Sequence, residues 1–388
     1  MQPPRPDHDR RLRVVAAGLS GLVLACCAPR TPRAALERDP SAQQAAPRLA
    51  ALEVERASLD APSEAILART AAHLPLLKEL ELRGAVGSTG MVARFEVLER
   101  LDIKSAEKLD IRGLATATTL RELTIEVASG EGAALGSLAA LGSLQRLRRL
   151  KIVAPHDELV ALLESLPMLP ELSALSIDAN GAVEVTQAPD LTRLSGLTAL
   201  ETLELGAQRK LVRLDGIEHT RVSRFVLRDA AASLEPLGGL ARELSALTLD
   251  AYGGAVPANT DAWRWLAASR AADLGALAAL TELTSLDLLG FAIAELSFLR
   301  QMKKLKHLGL RGAWVSDVGE LLRLQSCQLD VSGVSRLEGR AEEGSWRELN
   351  EVFARQLDEV VSERHCPDRC MMNCGVTVHG RVQGFGSL

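Results

Sequence analysis

The sequence predicts an α/β solenoid with a parallel sheet on its concave side and helical caps at both ends. Three observations predict it. Between Leu77 and Leu329 the chain repeats one pattern eleven times: an apolar residue, two variable residues, an apolar residue, one variable residue, an apolar residue. The units begin at 77, 98, 120, 147, 172, 200, 222, 244, 283, 305 and 324, and four of the ten steps between them are 22 residues. Within each unit the last residues alternate variable and apolar, the period-two signature of a short strand with one buried face. Self-similarity of this kind means that a unit buries its apolar face only by stacking on its neighbours.

Taken in order, the units are Leu77-Leu80-Leu82, Leu98-Leu101-Ile103, Leu120-Leu123-Ile125, Leu147-Leu150-Ile152, Leu172-Leu175-Ile177 and Leu200-Leu203-Leu205. Val222-Phe225-Leu227, Leu244-Leu247-Leu249, Leu283-Leu286-Leu288, Leu305-Leu308-Leu310 and Leu324-Cys327-Leu329 follow. Further apolar residues recur downstream, as at Leu109, Ile111 and Leu114 or Leu211, Leu214 and Ile217, and suit a return segment across a shared core. This pattern resembles the leucine-rich-repeat family, in particular its 22-residue internalin-like bacterial class. Ala232–Leu237 and Ala294–Leu299 look like the return segment of that class. The resemblance implies a leucine-rich-repeat horseshoe over residues 62–335. It departs from the family at the ninth position, where Asn usually bonds the turn backbone. Here Ala85, Ala106, Ala128, Pro155, Gln208, Ala230, Tyr252, Phe291 and Ala313 stand there, and only Asn180 matches. The turn amides and carbonyls therefore need other partners, and a less regular coil is expected.

Composition narrows the function classes. Of 388 residues 47% are apolar but only 3% aromatic, which suits many equivalent aliphatic slots and argues against an aromatic-lined pocket. The net charge of −5 and the dispersed basic residues argue against nucleic acid. The densest basic strip, Arg146, Arg148, Arg149 and Lys151, reads as the solvated edge of one strand. No cofactor, metal or catalytic residue is assigned, because the seven His residues are scattered and no nucleophile has a placed base. No enzyme is expected.

At the N-terminus Arg10, Arg11 and Arg13 precede an uncharged run from Val14 to Ala25, long enough for a signal-peptide core and too short for a permanent span. Val23-Leu24-Ala25-Cys26 resembles the lipobox of bacterial lipoproteins, which implies cleavage after residue 25 and lipidation at Cys26. Leu24 is larger than the family's usual residue there, and Cys27 follows closely. A cleaved signal without lipid and an uncleaved anchor are the other fates. Residues 26–61, rich in Ala, Pro, Arg and Gln, read as a flexible tether. Localisation follows as the bacterial cell envelope, lipid-anchored on the periplasmic or outer-surface side.

Residues 63–73 read as a short helix covering the first repeat. At the other end Ser345-Trp346-Arg347-Glu348 is a capping box, opening a helix within 340–363. Trp346, Leu349, Phe353, Leu357 and Val360 fall on one stripe of it. Either a cap for the last repeat or a docking helix for another protein fits this stripe.

The step of 39 between Leu244 and Leu283 marks an insertion, residues 252–280. It carries Tyr252, Trp263 and Trp265 among only eleven aromatics, and Thr260-Asp261 suits the start of a helix over Ala262–Leu280. A longer helical return and a binding loop both fit it. Cys327 fills an apolar slot, as a small buried residue would. In the tail, 364–388, Cys366, Cys370 and Cys374 leave a silent tail, a disulfide or a metal site open. Val378–Gly384 resembles the opening motif of acylphosphatases, but the chain lacks the following aromatic-Arg pair and the rest of that domain.

The leading expectation is a membrane-tethered, monomeric, non-enzymatic binding scaffold for an unknown protein or envelope polymer. The alternative gives the C-terminal Cys cluster and acylphosphatase-like segment a metal, redox or phosphatase role. Alternation points Glu79, Glu81, Arg83, Arg100, Asp102, Lys104, Glu122, Thr124, Glu126, Arg149, Lys151, Ser176 and Asp178 to the concave side. Glu204, Arg224, Arg228, Asp250, Asp287 and Arg311 continue that face, and with Tyr252, Trp263 and Trp265 they form the expected partner-binding site.

Overall fold

A computed structural model describes residues 12–17, 21–26, 55–106, 108–128, 135, 138–155, 163–180, 191–206, 214–228, 234–251, 274–315, 319–324, 327–330 and 335–336. The chain divides into two compact units, Met1–Val183 and Glu184–Leu388.

In the first unit the strands are β1 (Leu12–Ala17), β2 (Gly21–Cys26), β3 (Arg56–Asp60), β4 (Glu79–Gly84), β5 (Arg100–Ser105), β6 (Glu122–Val127), β7 (Arg149–Pro155) and β8 (Ala174–Asn180). From β3 to β8 every neighbouring pair is parallel, and the repeat motif sets the register. Leu80 lies beside Leu101, Leu101 beside Leu123, and Leu123 beside Leu150. All four are at most 2% exposed, so the two alternating apolar residues of each unit form continuous buried rows. Burying one Leu in such a row contributes about 1.5–3 kcal/mol.

The second unit repeats this with β9 (Thr202–Gly206), β10 (Arg224–Arg228), β11 (Ala246–Asp250) and β12 (Ser285–Leu289), followed by β13 (Ala292–Ile293), β14 (His307–Gly309), β15 (Trp314–Val315), β16 (Gln328–Asp330) and β17 (Ser335–Arg336). The run β9–β10–β11–β12–β14–β16 is parallel, and β13, β15 and β17 make a second, three-stranded parallel sheet from the turns. The 39-residue step does not disturb the register, since Leu247 still faces Leu286 and Leu249 faces Leu288. Return segments are single 3₁₀ turns, such as Arg112–Thr116, Glu235–Leu240 and Ser297–Gln301. Leu109, Ile111, Leu114, Leu214 and Ile217 close the core from that side and are fully buried; Leu211 lies outside the described residues.

One backbone device recurs at the start of β3–β7 and β9–β12. The carbonyl of the residue just before a strand accepts two N–H groups from the next coil. Glu55 O takes the amides of Lys78 and Glu79 at 2.9 and 2.8 Å, Lys78 O those of Glu99 and Arg100, and Glu99 O those of Arg121 and Glu122. The same arrangement holds at Glu201 O, Ser223 O, Ser245 O and Thr284 O. Hydroxyls add to it, with Ser245 Oγ donating to Ser223 O at 3.0 Å and Thr284 Oγ1 to Ser245 O at 2.9 Å.

The missing Asn ladder is replaced by backbone. Past the strands the Ala106 amide donates to Gly84 O, Ala128 to Ser105 O, Ala251 to Leu289 O and Gly290 to Arg311 O, all within 3.1 Å. Ser105 is buried, and its hydroxyl donates to Val86 O at 3.2 Å. Inter-coil bonding thus runs on into the turns, where a side chain would otherwise be required.

Several expectations change. The segment read as a tether ends earlier than 61, because β3 starts at Arg56 and pairs in register with β4. Ala57 and Leu59 are buried, so these residues form a coil that lacks the full repeat motif. The apolar run read as a signal core forms an antiparallel hairpin, β1 with β2, whose first strand pairs parallel to β3 from Leu12 to Val14. The helix expected over Ala262–Leu280 does not extend to its end. Leu274–Ala279 is a 3₁₀ return with Leu274, Leu277 and Leu280 buried at spacings of three, as Leu191, Leu194 and Leu197 or Leu234, Leu237 and Leu240 are. Residues 252–273, 337–388 and most of the proposed tether lie outside the described residues. Next to β3, a helix α1 (Glu64–His73) is capped by Ser63, whose hydroxyl accepts from the Ile66 amide, and it buries Leu67, Thr70 and Ala71.

Gly216 shows how tightly the coils are drawn together. Its φ is +92°, and a β-carbon there would lie 2.3 Å from the Thr192 nitrogen of the preceding coil. We expect Gly216→Ala to lose about 1–3 kcal/mol in denaturant unfolding. Gly87→Ala, at a glycine with open space around it, should change stability little.

Candidate binding surface

Strand alternation sends three side chains per strand to the face opposite the core, and the parallel register stacks them into rows. In the first unit the first row reads Arg56, Glu79, Arg100, Glu122, Arg149. Signs alternate along it, and each neighbouring pair is an ion pair. Arg56 binds Glu79, Arg100 lies 3.4 Å from Glu79 and 2.6 Å from Glu122, and Arg149 lies 3.1 Å from Glu122. The row ends at Ala174. Just ahead of the strands Lys78 pairs with Glu55 at 2.6 Å and Arg121 with Glu99 at 4.0 Å. In the inner rows Glu81 takes Arg83 at 2.8 Å and Lys104 at 3.7 Å. Lys151 lies between Thr124 and Ser176 and is exposed, without an acidic neighbour in register.

The Glu122 carboxylate holds the Arg100 guanidinium further above its ordinary range. Such a row costs little to form, because neighbouring backbones already hold the charges in place. Each exposed pair is still worth only about 0–1 kcal/mol. The strip Arg148, Arg149, Lys151 is partly neutralised by Glu171, 3.2 Å from Arg148, and by Glu122. That agrees with its reading as a solvated strand edge.

The second unit's face is sparser and divides into three groups. Arg228 lies 3.3 Å from Glu204. His307 lies 3.1 Å from Asp287, and Arg311 lies 3.3 Å from Asp330. Thr248 reaches the other Asp287 oxygen at 3.5 Å. Gly309 makes the His307 pair possible: a β-carbon there would meet the Asp287 carboxylate at 2.1 Å. Hydrogen bonding to Asp287 raises the His307 pKa above its usual value, against an opposing effect of burial, with Asp330 assisting. Arg224 is exposed, and its neighbours in register are Thr202 and Ala246.

Of the expected partner-binding residues, Glu204, Arg228, Asp287 and Arg311 lie on this face and are ion-paired, and Arg224 is exposed on it. Asp250 does not belong with them. It is only 7% exposed, at the end of β11 beside Arg228 and Leu289 in register. Tyr252, Trp263 and Trp265 lie outside the described residues. Cys26 closes β2, opposite Leu12. His307 and Asp330 were missed in the sequence, although both occupy outward positions of their strands.

Cys327 is a buried free thiol in its repeat slot, and burial pushes its pKa up to about 11. No group of His, Cys, Asp and Glu among the described residues could hold a metal ion. No helix among them is long and apolar enough to cross a membrane.

With this geometry in view, comparison with solved structures shows the fold to be that of leucine-rich-repeat proteins. An internalin, InlF, from Listeria monocytogenes is similar over 77% of this chain and 84% of its own, with a TM-score of 0.51 at 15% identity. A leucine-rich-repeat protein from Leptospira interrogans matches over 81% of this chain and 97% of its own, with 13% identity and a TM-score of 0.31. Internalin C2 from Listeria monocytogenes matches over 63% and 82%, with 16% identity and a TM-score of 0.26. No protein-family profile and no curated protein matches the sequence.

Two measurements check the electrostatics. Glu122→Ala removes the partner of Arg149 and leaves Arg100 with Glu79 alone, and should lower stability by about 1 kcal/mol at low salt. The difference should shrink at high salt, where screening acts over less than about 10 Å. For His307 the folded pKa lies above the unfolded one of about 6.5. Its stabilisation is therefore complete below that pH and is lost as pH rises through the folded value. Melting temperature against pH should show this loss in the wild type, and His307→Gln should remove it.

Proposed function

We propose that the chain is a non-enzymatic binding scaffold, tethered in the bacterial cell envelope through a lipid on Cys26, with a protein or envelope polymer as partner. The observation that carries this reading is the outward sheet face. Its charges are fixed by backbone register, so they present a pattern that a flexible surface could not hold. Such a face discriminates between partners by charge arrangement more than it supplies raw affinity. Arg224 and Lys151, which have no acidic neighbour in register, are the points at which a partner's carboxylate gains most. In this proposal the insertion with Trp263 and Trp265 supplies an aromatic anchor, since no Phe, Tyr or Trp stands at the described outward strand positions.

The N-terminal reading rests on the basic residues, the uncharged run and the lipobox-like Val23–Cys26. In this proposal the β1–β2 hairpin belongs to the unprocessed chain, and maturation at Cys26 leaves β3 as the first strand. A tether from Cys27 to about residue 55 then links the lipid to the repeats.

Capture from envelope extracts tests the surface. Wild-type protein should retain a partner in a salt-sensitive manner, Arg224→Glu should weaken capture, and a Trp263→Ala, Trp265→Ala variant should lose it. Equal capture by all three would show that the site lies elsewhere. Mass spectrometry of the mature N-terminus should find lipidated Cys26, and Cys26→Ala should no longer partition into detergent. Deleting residues 364–388 should leave capture intact; its loss with the repeats still folded would favour a role for the Cys-containing tail.

A further inference from the structure

The last coil of the second unit is where the regular burial fails. The first apolar residue of each repeat is buried at Leu77, Leu98, Leu120, Leu147, Leu172, Leu200, Val222, Leu244, Leu283 and Leu305, never more than 5% exposed. Leu324 holds the same place in the final repeat and is half-buried. Beside it lies a groove of about 460 Å³, with Leu299, Met302, Leu305, Leu324 and Cys327 along its floor. The exposed Arg300, Lys303 and Arg323 also line it, with one acid, the buried Glu320. The Glu320 charge is already matched, by Arg300 at 2.9 Å and Arg323 at 3.3 Å, and Arg300 holds its carboxyl below the ordinary range. The groove is apolar at the bottom and carries a surplus of positive charge at its edge.

We propose that this groove is the docking site of the chain's own segment Ser345–Val361, bound as an amphipathic helix. Three features match. The stripe Trp346, Leu349, Phe353, Leu357, Val360 supplies a continuous apolar face. Glu348, Glu351, Asp358 and Glu359 outnumber Arg347 and Arg355 in the segment, so its charge is opposite to the rim. The last described strand ends at Arg336, and the nine residues from there to Ser345 span at most about 30 Å. That is enough to bring a helix of about 25 Å back over the end of the same coil. The occupant is thus in place at high effective concentration, which neither a second copy nor another protein is. Docking buries Leu324 as the next coil buries its equivalents, and a stack of repeats needs such a cover at its end.

Cross-linking tests this in the full chain with its native cysteines replaced by Ser. Leu324→Cys is combined in turn with Leu349→Cys, Phe353→Cys and Leu357→Cys, and oxidised with diamide at low protein concentration. At least one of these stripe positions should form a disulfide within the chain, whereas Glu351→Cys and Arg355→Cys on the polar side should not. Linkage mainly between chains would assign the groove to a second copy. Absence of any stripe linkage, or equal linkage from the polar face, would leave it to a different partner; each of these results overturns the proposal. A second readout uses the native Cys327 as the sole thiol. Phe353→Glu with Leu357→Glu should make its alkylation about tenfold faster by opening the groove, with strand content by circular dichroism unchanged. An unchanged alkylation rate in that folded variant would also overturn the proposal.

Discussion

Everything in this protein depends on one constraint: no coil can bury its own apolar residues. A unit of about 22 residues has one short strand and one 3₁₀ turn, and its Leu side chains are covered only by the coils on either side. The backbone enforces the same dependence. Strands β3–β7 and β9–β12 each open on a carbonyl that accepts two amides from the following coil. Core and hydrogen bonds therefore point along the same stacking direction, and stability accumulates between neighbours.

That constraint explains how far the chain departs from the leucine-rich-repeat pattern it resembles without losing the architecture. Turn Asn residues are mostly replaced by Ala, yet the coils keep their register. Main-chain bonds between successive coils continue past the strand, and Ser105 supplies a hydroxyl where one is needed. Insertions are absorbed on the same principle. Thirty-nine residues separate Leu244 from Leu283, but the strands they start pair residue for residue.

The outward face inherits its order from the inward one. Buried Leu rows fix the register, and register alone decides which charged residues become neighbours. In the first unit the signs alternate along the row Arg56, Glu79, Arg100, Glu122, Arg149, with strands spaced about 4.8 Å apart; in the inner rows Glu81 lies beside Asp102 and Arg83 beside Lys104, and Glu81 pairs with both Arg83 and Lys104. In the second unit pairing is local and leaves Arg224 beside uncharged neighbours. The end of the last coil presents the opposite case, an apolar surface that stacking leaves half covered at Leu324.

The sequence by itself determined the architecture, the location of eleven of the strands from Glu79 onward, and the buried identity of residues such as Leu101, Phe225 and Cys327. This information is local: the motif is complete within six residues and recurs. It also placed Glu204, Arg228, Asp287 and Arg311 on the outward side, since alternation needs only the strand itself. Only the tertiary structure decided what those residues touch. The partner of Glu122 is 22 residues away in one direction and 27 in the other, and no local pattern specifies that Arg100 and Arg149 meet it. Asp250 satisfies the alternation rule and is nevertheless buried, which its own strand does not specify. Arg56–Asp60 lacks the motif and is nevertheless a strand, because β4 offers it an edge and a core for Ala57 and Leu59. Lateral stacking brings together residues that are distant in the chain, and that step is where a one-dimensional reading ends.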